Sequence, residues 1–117
     1  MTWVLVVEDD PVVRSLLRDF LELLGCAVHL ATNGREALEH LEHMRPDLIL
    51  LDLRMPVTDG RTFGTALRRD ERTVNLPIVL MSAAPEAAQV SRDIRAQGLL
   101  RKPFDLGELA RVVEQFR

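Results

Sequence analysis

Apolar and polar positions follow two rhythms along this chain. Residues 3–8 form an apolar run that closes on Glu8, and Val12, Val13, Leu16, Leu17, Phe20, Leu21 and Leu24 then recur at helical spacing up to Gly25. The run reads as a strand buried on both faces and the spaced set as one face of a helix, with a glycine just past its end as a common stop. Residues 26–31 (CAVHLA) are β-prone, and Ala37, Leu38, Leu41 and Met44 mark a second helix, with Thr32 or Asn33 as its cap and Pro46 beyond its end. LILL at 48–51 is a third, continuous strand; 52–60 (DLRMPVTDG) reads as a loop by its Pro and Gly; a weaker helix carries Phe63, Ala66 and Leu67. The second half repeats the pattern, with a strand at 77–81 (PIVLM), a helix over 86–96, a short strand at 99–101 (LLR) and a last helix from Asp105, its N-cap, through Leu106, Leu109, Ala110, Val113 and Phe116. Buried strands alternating with helices predict an α/β fold: a five-stranded parallel sheet, doubly wound, with right-handed crossovers.

The totals narrow the class. A chain of 117 residues, 47% hydrophobic and 28% charged, is one globular domain, expected to occupy 1–117 with no output module in it. Its apolar runs are far shorter than the ~20 residues that cross a bilayer. Met1 leads straight into a strand, so no signal segment is expected, and the lone Cys26 fits a cytoplasmic protein without disulfides. A net charge of −3 and a pI near 5.6 argue against direct binding to nucleic acid.

In such sheets ligands sit beyond the carboxyl ends of the strands, near the point where strand order reverses. There the chain places Glu8, Asp9 and Asp10 after the first strand, Thr32 and Asn33 after the second, Asp52 after the third, Ser82 after the fourth and Lys102 after the fifth. Asp10 before Pro11 reads as a helix N-cap with proline at the first helical position. Glu8 and Asp9 with Asp52 are three converging acids whose repulsion needs compensation, and hard oxygen donors point to Mg²⁺. Lys102, the Ser82 hydroxyl and the backbone N–H of Ala83 suit phosphoryl oxygens, and Asp52, closing the central strand, is the carboxylate best placed to attack phosphorus.

With these residues in hand, the chain resembles the receiver domain of two-component response regulators over essentially its whole length. Glu8-Asp9 resembles the metal-binding acid pair, LILLDLRMPVTDG at 48–60 the phosphoacceptor segment, VLMSA at 79–83 the switch-residue strand and RKPF at 101–104 the Lys-Pro element. The resemblance implies a flavodoxin-like (βα)5 fold with strand order 2-1-3-4-5. It implies Asp52 as phosphoacceptor; Glu8, Asp9, Asp52 and the carbonyl of Arg54 as Mg²⁺ ligands; Ser82, Ala83 and Lys102 as phosphoryl partners; and a cis bond before Pro103. The donor would be a sensor histidine kinase or a histidine phosphotransfer protein, docking beside the first helix with Arg14 and Arg18 outward. A downstream protein would read the face formed by the fourth helix, fifth strand and fifth helix. Such a domain is a signalling switch that autodephosphorylates, not a conventional enzyme, and a monomer or weak dimer. Leu99 stands at the switch position where the family usually has Tyr or Phe, Arg95 where a glycine is common, and Arg54 and Ala84 at positions that tune dephosphorylation.

Rival readings fit less well. A hydrolase of the haloacid-dehalogenase kind needs a second acid where Arg54 stands, and a flavodoxin-like carrier needs hydroxyls where EDDP stands. A phosphorylation-independent receiver-like interaction module remains the alternative. His40 and His43, three apart on the second helix, lack a third ligand nearby in sequence and read as a solvated helix face. His29 reads as a packed or half-exposed strand residue and Cys26 as a small buried one. Trp3 is placed at the end of the sheet opposite Asp52.

Overall fold

The structure, a computed structural model, describes residues 1–55 and 59–117. Residues 56–58, part of the predicted loop over 52–60 and of the phosphoacceptor segment, lie outside the described residues. Strands β1 (Trp3–Val7), β2 (Ala27–Ala31), β3 (Leu48–Asp52), β4 (Ile78–Ser82) and β5 (Gly98–Arg101) alternate with helices α1 (Pro11–Leu23), α2 (Gly34–Leu41), α3 (Gly60–Arg68), α4 (Ala87–Asp93) and α5 (Leu106–Glu114). All strand pairs are parallel and their order is β2-β1-β3-β4-β5, as expected. The order reverses between β1 and β3, so a crevice opens beyond their carboxyl ends.

The strand pleat sorts the core into two layers, because successive side chains point to opposite faces. Leu5, Val7, Ile49, Leu51 and Leu80 pack with Ala37, Phe63, Leu67 and Val90 from α2, α3 and α4 and with Ile94 just past α4. Val4, Val6, Leu48, Leu50, Val79 and Met81 pack with Leu17 and Leu21 of α1 and with Leu109 and Val113 of α5. Both faces are covered, which is why β1, β3 and β4 read as unbroken apolar runs.

Local signals set the ends. Asp10 caps α1 through Oδ1, which accepts from the N–H groups of Val12 (2.9 Å) and Val13 (3.3 Å). Gly25, at φ +89°, lets the chain turn out of α1. Of the two candidate caps of α2, Asn33 serves, its Oδ1 accepting from Glu36 N–H at 2.9 Å, while Glu36 reaches back to the Thr32 hydroxyl at 2.9 Å. Asp105 caps α5 by accepting from Glu108 N–H at 2.8 Å.

The boundaries depart from the expected ones where tertiary pairing decides. β3 and β4 each run one residue further, through Asp52 and Ser82, because these pair with Met81 and Arg101 of their neighbours. The end of α2 comes at Leu41, leaving Met44 in the turn beyond. Helix α4 stops at Asp93, short of the expected 96, where Arg95 adopts φ +52°. That left-handed conformation suits glycine, and an arginine there is strained by roughly 1–2 kcal/mol. Arg68 of α3 clamps the turn, donating to the carbonyls of Ile94 (2.8 Å), Arg95 (3.1 Å), Val74 (2.9 Å) and Leu76 (2.8 Å). Among the described residues no helix is long and apolar enough to cross a membrane.

Candidate functional site

The carboxyl ends of β1, β3, β4 and β5 meet in a cleft of ≈ 530 Å³ that includes Glu8, Asp9, Asp52, Arg54, Ser82, Ala83 and Lys102. Glu8, Asp52 and Ser82 are 1%, 6% and 4% exposed, so two carboxylates stand inside the protein while Asp9 sits at the rim. The backbone forces this. β1 and β3 are neighbours in register, so the residue after Val7 and the last residue of β3 emerge side by side. Gly60, at the start of α3, lets that helix approach, since a Cβ there would lie 2.8 Å from the Asp52 carbonyl oxygen.

One carboxylate oxygen from each of Glu8, Asp9 and Asp52 lies within 4.8 Å of the others. Lys102 bridges two of them, its Nζ 3.1 Å from Asp52 Oδ1 and 3.2 Å from Glu8 Oε2. Burial above all, and then the charge of Asp52, raises the Glu8 pKa above its ordinary 4.5 despite Lys102. Burial also raises Asp52 above 3.8, against the pull of Lys102 and with Asp9 adding to the rise. For Lys102 burial works downward, but the charges of Asp52 and Glu8 outweigh it and hold the pKa above 10.5. One ammonium thus compensates the acids only in part. The donor set is all carboxylate oxygen, which fits a hard divalent cation such as Mg²⁺, needing only one or two carboxylates beside carbonyl and water.

The remaining residues frame the pair. Ser82 Oγ accepts from Ala84 N–H at 2.9 Å, and Arg101 donates to the Ala84 carbonyl at 3.0 Å, so the β4–α4 loop is held from both sides. The Lys102–Pro103 peptide bond is cis. Arg54 extends away from the acids to Glu86 at 2.6 Å, tying the loop after β3 to the start of α4. Arg14 departs from the sequence expectation. Rather than pointing outward, it folds back and donates to the carbonyls of Glu8 (2.9 Å) and Asp9 (3.1 Å), fixing the acid-bearing loop. Its position one turn after the acids was the only sequence signal. Arg18 stays on the surface beside Asp19 and Glu22. Leu99 is half-buried and packs on the core beneath α4.

Comparison with known proteins places this cleft. The family model described as "Response regulator receiver domain" matches residues 4–114. The chain belongs to the response regulator receiver domain family. This receiver domain is 38% identical over 115 residues to the DNA-binding dual master transcriptional regulator RpaA of Synechocystis sp., a match covering 96% of this chain and 48% of that protein. It thus spans about half the length of that relative. Among solved structures, the chemotaxis protein CheY4 of Vibrio cholerae superposes with a TM-score of 0.92 at 32% identity, covering 100% of this chain and 99% of that one. The receiver domain of sensor histidine kinase PA1611 from Pseudomonas aeruginosa, solved with a magnesium ion coordinated in its active-site cleft, gives 0.86 at 33% identity, covering 98% and 96%. Receiver domains are signalling switches of two-component systems rather than classical enzymes, and the acidic cleft here is of the kind that accepts phosphoryl groups.

Proposed function

We infer that this receiver domain is switched by Mg²⁺-dependent phosphorylation of Asp52, with a sensor histidine kinase or a histidine phosphotransfer protein as donor. The observation that carries the reading is Lys102 Nζ within 3.2 Å of both Asp52 and Glu8, inside a cleft where three carboxylates converge. Glu8, Asp9, Asp52 and the Arg54 carbonyl would hold the ion. When bound, Mg²⁺ supplies charge that offsets carboxylate repulsion and open positions for phosphoryl oxygens.

The chain's own residues do the rest. An Asp52 carboxylate oxygen forms a bond to phosphorus as the bond from phosphorus to the donor breaks, leaving an aspartyl phosphate. Lys102, already beside Asp52, exchanges a carboxylate for a phosphoryl oxygen. The added charge of roughly −1.5 to −2 then draws the Ser82 hydroxyl and the Ala83 N–H. Ser82 must give up its bond from Ala84 N–H, which loosens the β4–α4 loop and biases the face of α4, β5 and α5 toward a downstream protein. A phosphorylation-independent interaction module is the second reading. It is favoured by Leu99, which packs on the core and offers no polar tip to follow Ser82.

Intact mass after incubation with acetyl phosphate separates the two. The expected result is one added phosphoryl group that requires Mg²⁺ and is absent in Asp52→Asn. No addition to a folded wild-type protein would favour the silent module.

A further inference from the structure

We propose that the β2 edge of the sheet carries a second cation site, for a borderline transition-metal ion of the Zn²⁺ or Ni²⁺ class, built on His29, His40 and His43. His40 and His43 alone are an unremarkable pair three residues apart. The fold adds what the sequence spacing lacks: His29, in the middle of β2, stands beside His40 in the cavity that His43 also lines.

The rings of His29 and His40 have centroids 5.6 Å apart at an interplanar angle of 55°. An imidazole nitrogen sits about 2.0–2.1 Å from Zn²⁺, so two imidazoles at a tetrahedral angle on one ion have centroids roughly 5–6 Å apart. The observed pair already meets that spacing. On its other side the His29 ring stacks on Trp3, centroids 5.1 Å apart and 22° between planes, which limits its rotation. His43 lies in the turn that follows α2, where the N–H groups of His43 and Met44 donate to the His40 carbonyl at 3.0 and 3.1 Å, curling the chain around His40. His29, His40, His43, Glu39, Glu42 and Met44 line one cavity of ≈ 580 Å³. Glu36, on the same wall, is engaged with Thr32 and is not counted as a ligand.

The donor chemistry selects the ion. Imidazole with thioether and carboxylate at hand suits Zn²⁺, Ni²⁺ or Cu²⁺ and not Mg²⁺, whereas the all-carboxylate cleft is the reverse. Two imidazoles face each other as the structure stands. Among the described residues only the carboxylates of the cleft bring three such donors within 4.8 Å of one another as the structure stands, so here the third has to be brought in by rotation of His43, an exposed side chain beyond the end of α2.

Trp3, stacked on His29, reports occupancy, because a paramagnetic ion within a few ångströms of an indole quenches its emission, and it is the chain's single tryptophan. The experiment is a titration of the full chain with Ni²⁺ in excess Mg²⁺, which keeps the carboxylate cleft occupied, followed by diamagnetic Zn²⁺ as competitor. The expected result is a saturable quench of one equivalent that Zn²⁺ reverses. His40→Gln leaves the Trp3–His29 stack in place and puts a good helix former on α2, so it folds. It should weaken the midpoint by at least the roughly 10- to 100-fold that loss of an outer-shell partner costs a metal site. Asp52→Asn should leave the titration unchanged. Absence of a saturable quench, a quench indifferent to His40→Gln (an ion on the chain terminus), or one lost in Asp52→Asn would each overturn the proposal.

Discussion

At Asp52 burial opposes ionisation, while Lys102, 3.1 Å away, favours it without winning. Asp52 and Glu8 therefore hold their protons more tightly in the folded than in the unfolded chain. A carboxyl raised in this way favours the fold below its ordinary value, here 3.8 or 4.5, and that contribution is lost as pH rises through the higher folded value. Without a divalent cation, Asp52→Asn is expected to be more stable than wild type at pH 7, by on the order of 1 kcal/mol. The gap should narrow toward pH 4, and urea unfolding at the two pH values measures it. On the proposed function, saturating Mg²⁺ should bind the folded wild type and raise its stability, and EDTA should restore the gap. Equal midpoints at pH 7 without the ion would mean that Lys102 compensates the cleft in full.

Elements are positioned by a few close approaches and long side chains. A Cβ on Gly64 of α3 would lie 2.8 Å from both Cβ and Cγ2 of Ile94, atoms that rotation cannot withdraw together. Alanine would gain about 0.8–1.0 kcal/mol of helix propensity, but overpacking costs about 1–3 kcal/mol. Gly64→Ala is thus expected to destabilise by roughly 1 kcal/mol net, read as a lower thermal midpoint. Arg68 works at the same scale, joining α3 to the turn after α4 and to the strand entry at Leu76. These contacts explain what the residue pattern hides. Strands, caps and the strand-end acids were legible because run length, Asp10-Pro11 and Asp105 are local signals. The early end of α4 was not, since a left-handed Arg95 depends on a clamp 27 residues away. The inward fold of Arg14 and the meeting of His29 with His40 were hidden likewise, being products of packing.

Across the whole molecule the acidic cleft and Trp3 lie at opposite ends of the sheet, since Trp3 opens β1 and pairs with Ala27 while Asp52 closes β3. Trp3 is 41% exposed and its ring contact is with His29. Mg²⁺ alone is therefore expected to leave Trp3 emission nearly unchanged, within a few per cent in a steady-state titration; a strong quench would contradict the placement. The same separation lets the tryptophan report on one end of the protein while mass reports on the other.

Lys102 is the only lysine among the 117 residues, so in a polypeptide of these 117 residues its ammonium and the α-amine of Met1 are the primary amines. The first is held between two carboxylates and the second is on a residue 90% exposed. Amine-directed covalent labelling is then confined to two positions of very different reactivity. An acylating reagent should modify Met1 fast and Lys102 slowly, with two well-separated rates in a mass-spectrometric time course. Neutralising Asp52 as Asn should speed the slow phase, because an ammonium with one carboxylate fewer gives up its proton more readily. The slow rate then becomes a chemical footprint of the cleft, obtained without any engineered probe.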